Sequence, residues 1–173
     1  MDKVYLRIEG INGPINRPTR GSGWMEIKNL QFDISREIEF KDVTERLLPD
    51  HSHPEISKIS IVKLLCPASP SIFESICLLK KRKFELDLVH DKSDSHGLLD
   101  AAASAVLNMR TICYESDICF VNSVEISASS GHPLEKVLIT VPSMKMTYTP
   151  SSATDDPTGP KSFGYNFQMS KLI

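Results

Sequence analysis

Between Lys58 and Val89 the spacing of apolar side chains changes period twice, and that change limits the folds open to the whole chain. Ile59, Ile61, Leu64 and Leu65 are interleaved with Ser60 and Lys63, a mostly period-two run that suits a half-buried strand. Pro67 stops it. Ile72, Phe73, Ile76, Cys77 and Leu79 then recur at helical spacing, with Glu74, Ser75 and Lys80 elsewhere on the wheel. Ser69 is placed to cap this helix, and Pro70 to follow as its first residue, where a fixed φ suits and a missing N–H costs nothing. Ser71 with Glu74 is a rival capping box one step later. Ser69, Pro70, Ile72, Phe73 and Ile76 are thus expected to form the cap and buried face of the helix. The basic run Lys80, Lys81, Arg82 and Lys83 falls at its end, where unpaired carbonyls favour cations. Phe84, Leu86 and Leu88, alternating with Glu85 and Asp87, open the next strand. A short helix held between two strands needs an apolar surface to lie on.

Elsewhere the period is two. Val4, Leu6 and Ile8 alternate with Tyr5, Arg7 and Glu9 until Gly10 ends the strand. Gly13-Pro14, Pro18 and Gly21-Ser22-Gly23 make a turn-rich connection to an alternating stretch from Trp24 to Ile38, whose phase slips near Asn29 and Leu30, where a bulge or bend fits. Lys41 to Glu55 is charged, proline-bounded and without a period, and reads as a long exposed loop. Asp91 to Gly97 is a polar turn, and Leu98 to Met109 has the alanine content of a short helix. Strands are expected at Thr111 to Tyr114, at Ile118 to Ser127, around Val137 to Val141, and through Met144 to Tyr148. After a polar loop, Phe163, Tyr165, Phe167 and Met169 supply the apolar face of a last strand. About eight strands and one helix argue for a mainly β fold, an antiparallel β-barrel or two-sheet sandwich with one covering α-helix. A single domain spans 1–173, with a loop at 41–55 and an insertion at about 91–110.

A chain of 173 residues buries roughly two thirds of its unfolded surface, so neither a cofactor nor a disulfide is required to hold it. With 24% charged residues and a net charge of -2 there is no general electrostatic attraction to nucleic acid. The aromatic residues fall on apolar phases, as core or subunit contacts rather than stacking platforms, and Trp24 reads as a packing anchor. The opening MDKVYLRIEG carries charges throughout and resembles neither a signal peptide nor a membrane span, so synthesis in the cytoplasm is expected. Cys66, Cys77, Cys113 and Cys119 lack close paired spacing and read as free, mostly buried thiols. His51 and His53 with Asp50 and Glu55 are the most metal-like cluster, but Pro49 and Pro54 make the segment a loop, in which residues two apart do not converge on an ion. No G-x-S-x-G, P-loop or G-x-G-x-x-G is present, so no catalytic residue, metal or cofactor is expected, and the chain is not read as an enzyme.

The order of parts resembles the hemolysin-coregulated protein family, Hcp, of bacterial type VI secretion. Val4 to Gly13, VYLRIEGING, is similar to that family's opening strand and turn, and Trp24-Met25-Glu26-Ile27 to its second strand. Ile59 to Lys63 followed by Ala68-Ser69-Pro70-Ser71-Ile72-Phe73 resembles its strand entering a helix, and Met146 to Pro150 with Gly164-Tyr165-Asn166 its closing hairpin. The segments Asp91 to Arg110 and Lys41 to Glu55 depart from the family pattern, both within loops. The resemblance implies a homo-hexameric ring that stacks into a hollow tube, works with a spike protein and a contractile sheath, carries effector cargo in its lumen, and leaves the cytoplasm through the type VI apparatus without a signal peptide. It implies no nucleic-acid partner and no membrane span. Lys41, Arg46, Asp50 and Glu55 offer both signs of charge for contact between stacked rings. A small-molecule-binding barrel of lipocalin type is the alternative, and a third is a secretion protein whose Leu98 to Met109 insert is itself an effector.

Overall fold

The computed structural model describes residues 2–17, 20–37, 40–43, 46–49, 53–91, 109–128, 131–150 and 159–173. Among them β1 (Asp2–Ile8) places Leu6 and Ile8 in the core and ends at Gly10, whose φ of 72° is open to glycine without steric cost. A small hairpin, β2 (Gly13–Arg17) and β3 (Gly21–Gly23), follows, and β4 (Met25–Ile27) returns to pair with β1. At Lys28 the chain changes partners. Its N–H bonds Val62 O at 2.7 Å, and β5 (Asn29–Gln31) pairs with a different strand. The phase slip near Asn29 and Leu30 is therefore a change of pairing partner from β1 to β10, which resets the inward phase from Ile27 to Leu30.

From β5 the chain runs out through β6 (Ile34–Ser35) and β7 (Phe40–Val43), and returns through β8 (Arg46–Pro49), β9 (Glu55–Ile56) and β10 (Ile59–Leu64). Leu30 lies opposite Ile61, Ile34 opposite Ile56 and Lys41 opposite Leu48, so the register drifts by only two residues along one antiparallel arm. Between the paired pieces Ser57 N–H bonds Asp33 O and Asp33 N–H bonds Ser57 Oγ. The long loop expected from Lys41 to Glu55 is thus largely strand. Its tip strands β7 and β8 pair only with each other among the described residues, and the backbone bonds of a ladder require no apolar alternation in the sequence.

After the helix α1 (Ser69–Cys77) come β11 (Arg82–Asp91), β12 (Met109–Ser127), β13 (Leu134–Thr140), β14 (Ser143–Thr149), β15 (Lys161–Asn166) and β16 (Lys171–Leu172). A ten-stranded antiparallel sheet runs β16-β15-β14-β12-β11-β1-β4, and continues through β13, β10 and β5 by way of β12. That strand, 19 residues long, was expected as two, split at Glu115-Ser116-Asp117. Its register shifts beside Ser116 and again between Val121 and Ser123, and Ser116 Oγ donates to Ile118 O at 2.7 Å. These irregularities bend one strand so that its first half pairs with β11 and β14 and its second half with β13. Met109, expected to end a helix, begins β12; residues 92–108, the rest of the expected insertion, lie outside the described residues.

The centre is filled by Leu6, Ile8, Met25, Ile59, Ile61, Ile72, Phe84, Leu86, Val137 and Ile139. Complete burial of Ile72 contributes about 1.5–3 kcal/mol and holds α1 on the barrel. Ser75 is buried beside it and Ile76 half-buried, but Phe73 is 63% exposed and Cys77 is exposed. Each helical residue advances about 100°, so Phe73 and Cys77, next in sequence to Ile72 and Ile76, fall off the inward face. The cap also differs from expectation. Ala68 occupies the N-cap without a side-chain bond, while Pro70 does fall in the first turn; Glu74 bonds Lys80 rather than closing a capping box. The basic run lies beyond the helix: Arg82 donates to Glu9 O and Ser75 Oγ, and no basic residue falls in the last turn of α1.

Candidate assembly interface

Two ionic clusters fix the scaffold. Strict alternation from Ile59 and Ile61 puts Lys63 inward, where it is 1% exposed. Its Nζ meets Glu135 Oε2 at 2.5 Å and donates to Ser69 Oγ at 3.1 Å and Leu64 O at 3.2 Å; Cys66 Sγ is 3.3 Å away. Ser69, expected as the cap, donates its hydroxyl to Glu135 at 2.7 Å and accepts the Cys66 N–H, so it ties the start of α1 to β10 and β13. On the other side Arg17 pairs with the fully buried Asp87, and Arg20 approaches the same carboxylate at 3.5 Å. The guanidinium groups of Arg7 and Arg17 lie 4.9 and 4.8 Å from the Trp24 ring centre, and Arg7 also binds Glu85 at 2.6 Å. Burial and then the neighbouring Asp87 push the Cys113 thiol up from its ordinary range. These groups use their charge on one another and so hold the β2–β3 hairpin and α1 in place.

The surface is less complete. Tyr114, Met144, Met146, Phe163 and Leu172 line an apolar groove of about 380 Å³, together with Ile34 and Arg36 from the base of the arm. Phe163 is 59% and Leu172 68% exposed. Other exposed apolar side chains lie along and just beyond α1: Phe73 at its middle, and Leu78 and Leu79 after its last residue. The sheet also has open margins, since β16 and β4 are each paired on one side only among the described residues. Open edges and large apolar patches are features that proteins cover by association.

Of the residues expected to make contacts through the arm, Lys41 and Arg46 lie on β7 and β8, Glu55 is exposed on β9 opposite Ser35, and Asp50 is outside the described residues. His53 is exposed, His51 lies outside them too, and no group of three metal-binding side chains occurs among those described. Lys63 and Glu135 were missed, although the phase of β10 marks Lys63 as inward. The groove was missed because its residues come from four separate segments.

The family described as "Type VI secretion system effector, Hcp" matches residues 5–148. The chain belongs to the Hcp family. Solved structures agree in fold: Hcp1 from Salmonella typhimurium, at 17% identity, covers 99% of each chain with a TM-score of 0.69. A structure described as a type six secretion system protein, at 15% identity, covers 100% of both with a TM-score of 0.74. The secreted protein Hcp3 from Pseudomonas aeruginosa, at 14% identity, covers 96% of this chain and 99% of its own with a TM-score of 0.57. No curated protein matches. The expected β-rich Hcp fold with one helix therefore holds, and this is a type VI secretion protein of Hcp type. No helix among its described residues is long and apolar enough to cross a membrane.

Proposed function

We propose that this Hcp-family chain is a structural subunit whose rings of six copies stack into a hollow tube, exported with or around effector cargo and acting with a spike protein and a contractile sheath. The observation that carries the reading is the family match over residues 5–148, on a fold whose described residues include sheet edges paired on one side and several exposed apolar side chains. Repeating a heterologous contact around a rotation axis covers such surfaces and closes a ring. The work of such a subunit is done by surfaces, with no reacting group required. Native mass measurement with electron microscopy of the purified protein tests it: rings of six copies are expected, and a strict monomer at high concentration overturns the reading.

The arm supplies the contact between stacked rings. Lys41, Arg46, Asp50 and Glu55 place both signs of charge along the arm. Exposed pairs contribute only about 0–1 kcal/mol each, but a ring repeats every one of them. Replacing residues 40–49 with a short glycine-serine turn is expected to leave rings intact while impairing tubes and export. Normal tubes and export remove the arm's role, and loss of the ring assigns the arm to the lateral contact.

A further inference from the structure

A contact that closes a ring joins two different patches, so every copy carries both halves. Two of the exposed apolar sets among the described residues are the groove and the side chains around the end of α1. The helix end is the more informative half. Leu79 N–H bonds Ile76 O and Lys80 N–H bonds Ser75 O, the paired bonds of a left-handed helix terminator, and Leu79 has a φ of 48°. Glycine holds that conformation freely, whereas a leucine there sets its Cβ against the backbone. With 71% of Leu79 exposed, packing within the monomer returns little for that strain. The residue is locally unfavourable and internally idle, which directs its use to another molecule.

Resting on the ring reading, we infer that Phe73, Leu78 and Leu79 of one copy enter the groove of the next, between the arm base and the β15–β16 hairpin, against Met146, Phe163 and Leu172. A volume of about 380 Å³ lies in the range that accepts a compact apolar group. Met144 and Met146 adapt to an irregular shape. The charges are of opposite sign: Arg36 is the one charged residue among those described that line the groove, and Glu74, paired on the surface with Lys80, is the one carboxylate of α1. The occupant of the groove is thus a second copy of this chain.

The exposed thiol of Cys77 stands two residues from Leu79 and makes the contact testable. Phe163→Cys, treated with a short bis-maleimide, is expected to give a ladder of covalent oligomers ending at the ring size, and adding Cys77→Ser is expected to abolish the ladder. Leu79→Gly is expected to raise the denaturation midpoint of the monomer while rings dissociate at a concentration roughly tenfold higher or more. That opposition separates an interface residue from a folding residue. Rings of normal mass that give no ladder, and that survive Leu79→Gly unchanged, overturn this contact and leave the ring reading standing. A protein that is monomeric before any substitution overturns both. An apolar small molecule found in the groove of intact rings also overturns the contact.

Discussion

Replacing Lys63 by methionine keeps the length and apolar stem of the side chain and removes only its charge. Lys63 and Glu135 are each 1% exposed, and Nζ lies 2.5 Å from Oε2, so the variant leaves a carboxylate buried with Ser69 Oγ as its remaining polar partner. Breaking a buried pair from one side costs about 3–5 kcal/mol, mainly because the surviving charge is uncompensated. With a urea dependence of roughly 2 kcal/mol per molar, the unfolding midpoint falls by roughly 1.5–2.5 M. Replacing both partners, Lys63→Met with Glu135→Leu, removes the stranded charge, and such exchanges are often neutral or stabilising by about 1–4 kcal/mol. The Ser69 hydroxyl still accepts the Cys66 N–H in the double variant, so the start of α1 keeps part of its anchor. Equilibrium urea unfolding followed by Trp24 fluorescence at one fixed protein concentration measures both. A single variant that unfolds at the wild-type midpoint, or a double variant as unstable as the single, refutes the assignment of the cost to an unpaired buried carboxylate.

Ile72→Ala is expected to lose about 2–5 kcal/mol and Phe73→Ala less than about 1, because only Ile72 is buried; equal shifts of the denaturation midpoint contradict this. Leu79→Gly is expected to stabilise the isolated chain by about 1 kcal/mol, as the left-handed residue loses its Cβ, and thermal or urea unfolding of dilute protein reads the gain. Burial pushes the Cys119 thiol up to about 12, and Cys113 is also pushed up, so in native protein at pH 8 a thiol reagent is expected to modify exposed Cys77 rapidly and these two only after denaturation. Their folded values lie above the unfolded value of about 8.5, so the stability linked to them is intact below that pH and is lost as pH rises from there towards the folded values; a midpoint constant across that window contradicts it.

The period of the apolar residues was enough to establish that this chain is a β protein with a helix after Pro67. The alternations of β1, β10 and β13 each mark one dry face, because a half-buried strand leaves that face in the sequence whatever it packs against. The order of those parts also carried the family, since order along a chain is itself a property of sequence. Other features depended on what each element met in space. Phe73 and Ile72 are alike in character, and only the docking of α1 decided which one is buried. Ser69 has the chemistry of a cap, but Lys63 and Glu135, one of them 66 positions away, claimed its hydroxyl. The strands at the arm tip pair by backbone bonds, which need no apolar alternation, so their pairing could not be read from a period. The apolar groove exists only because four distant segments meet along one margin of the sheet. Local patterns record which side of a strand or helix leaves water; the identity of a partner is set by contacts between distant segments, and these form only when the chain closes on itself.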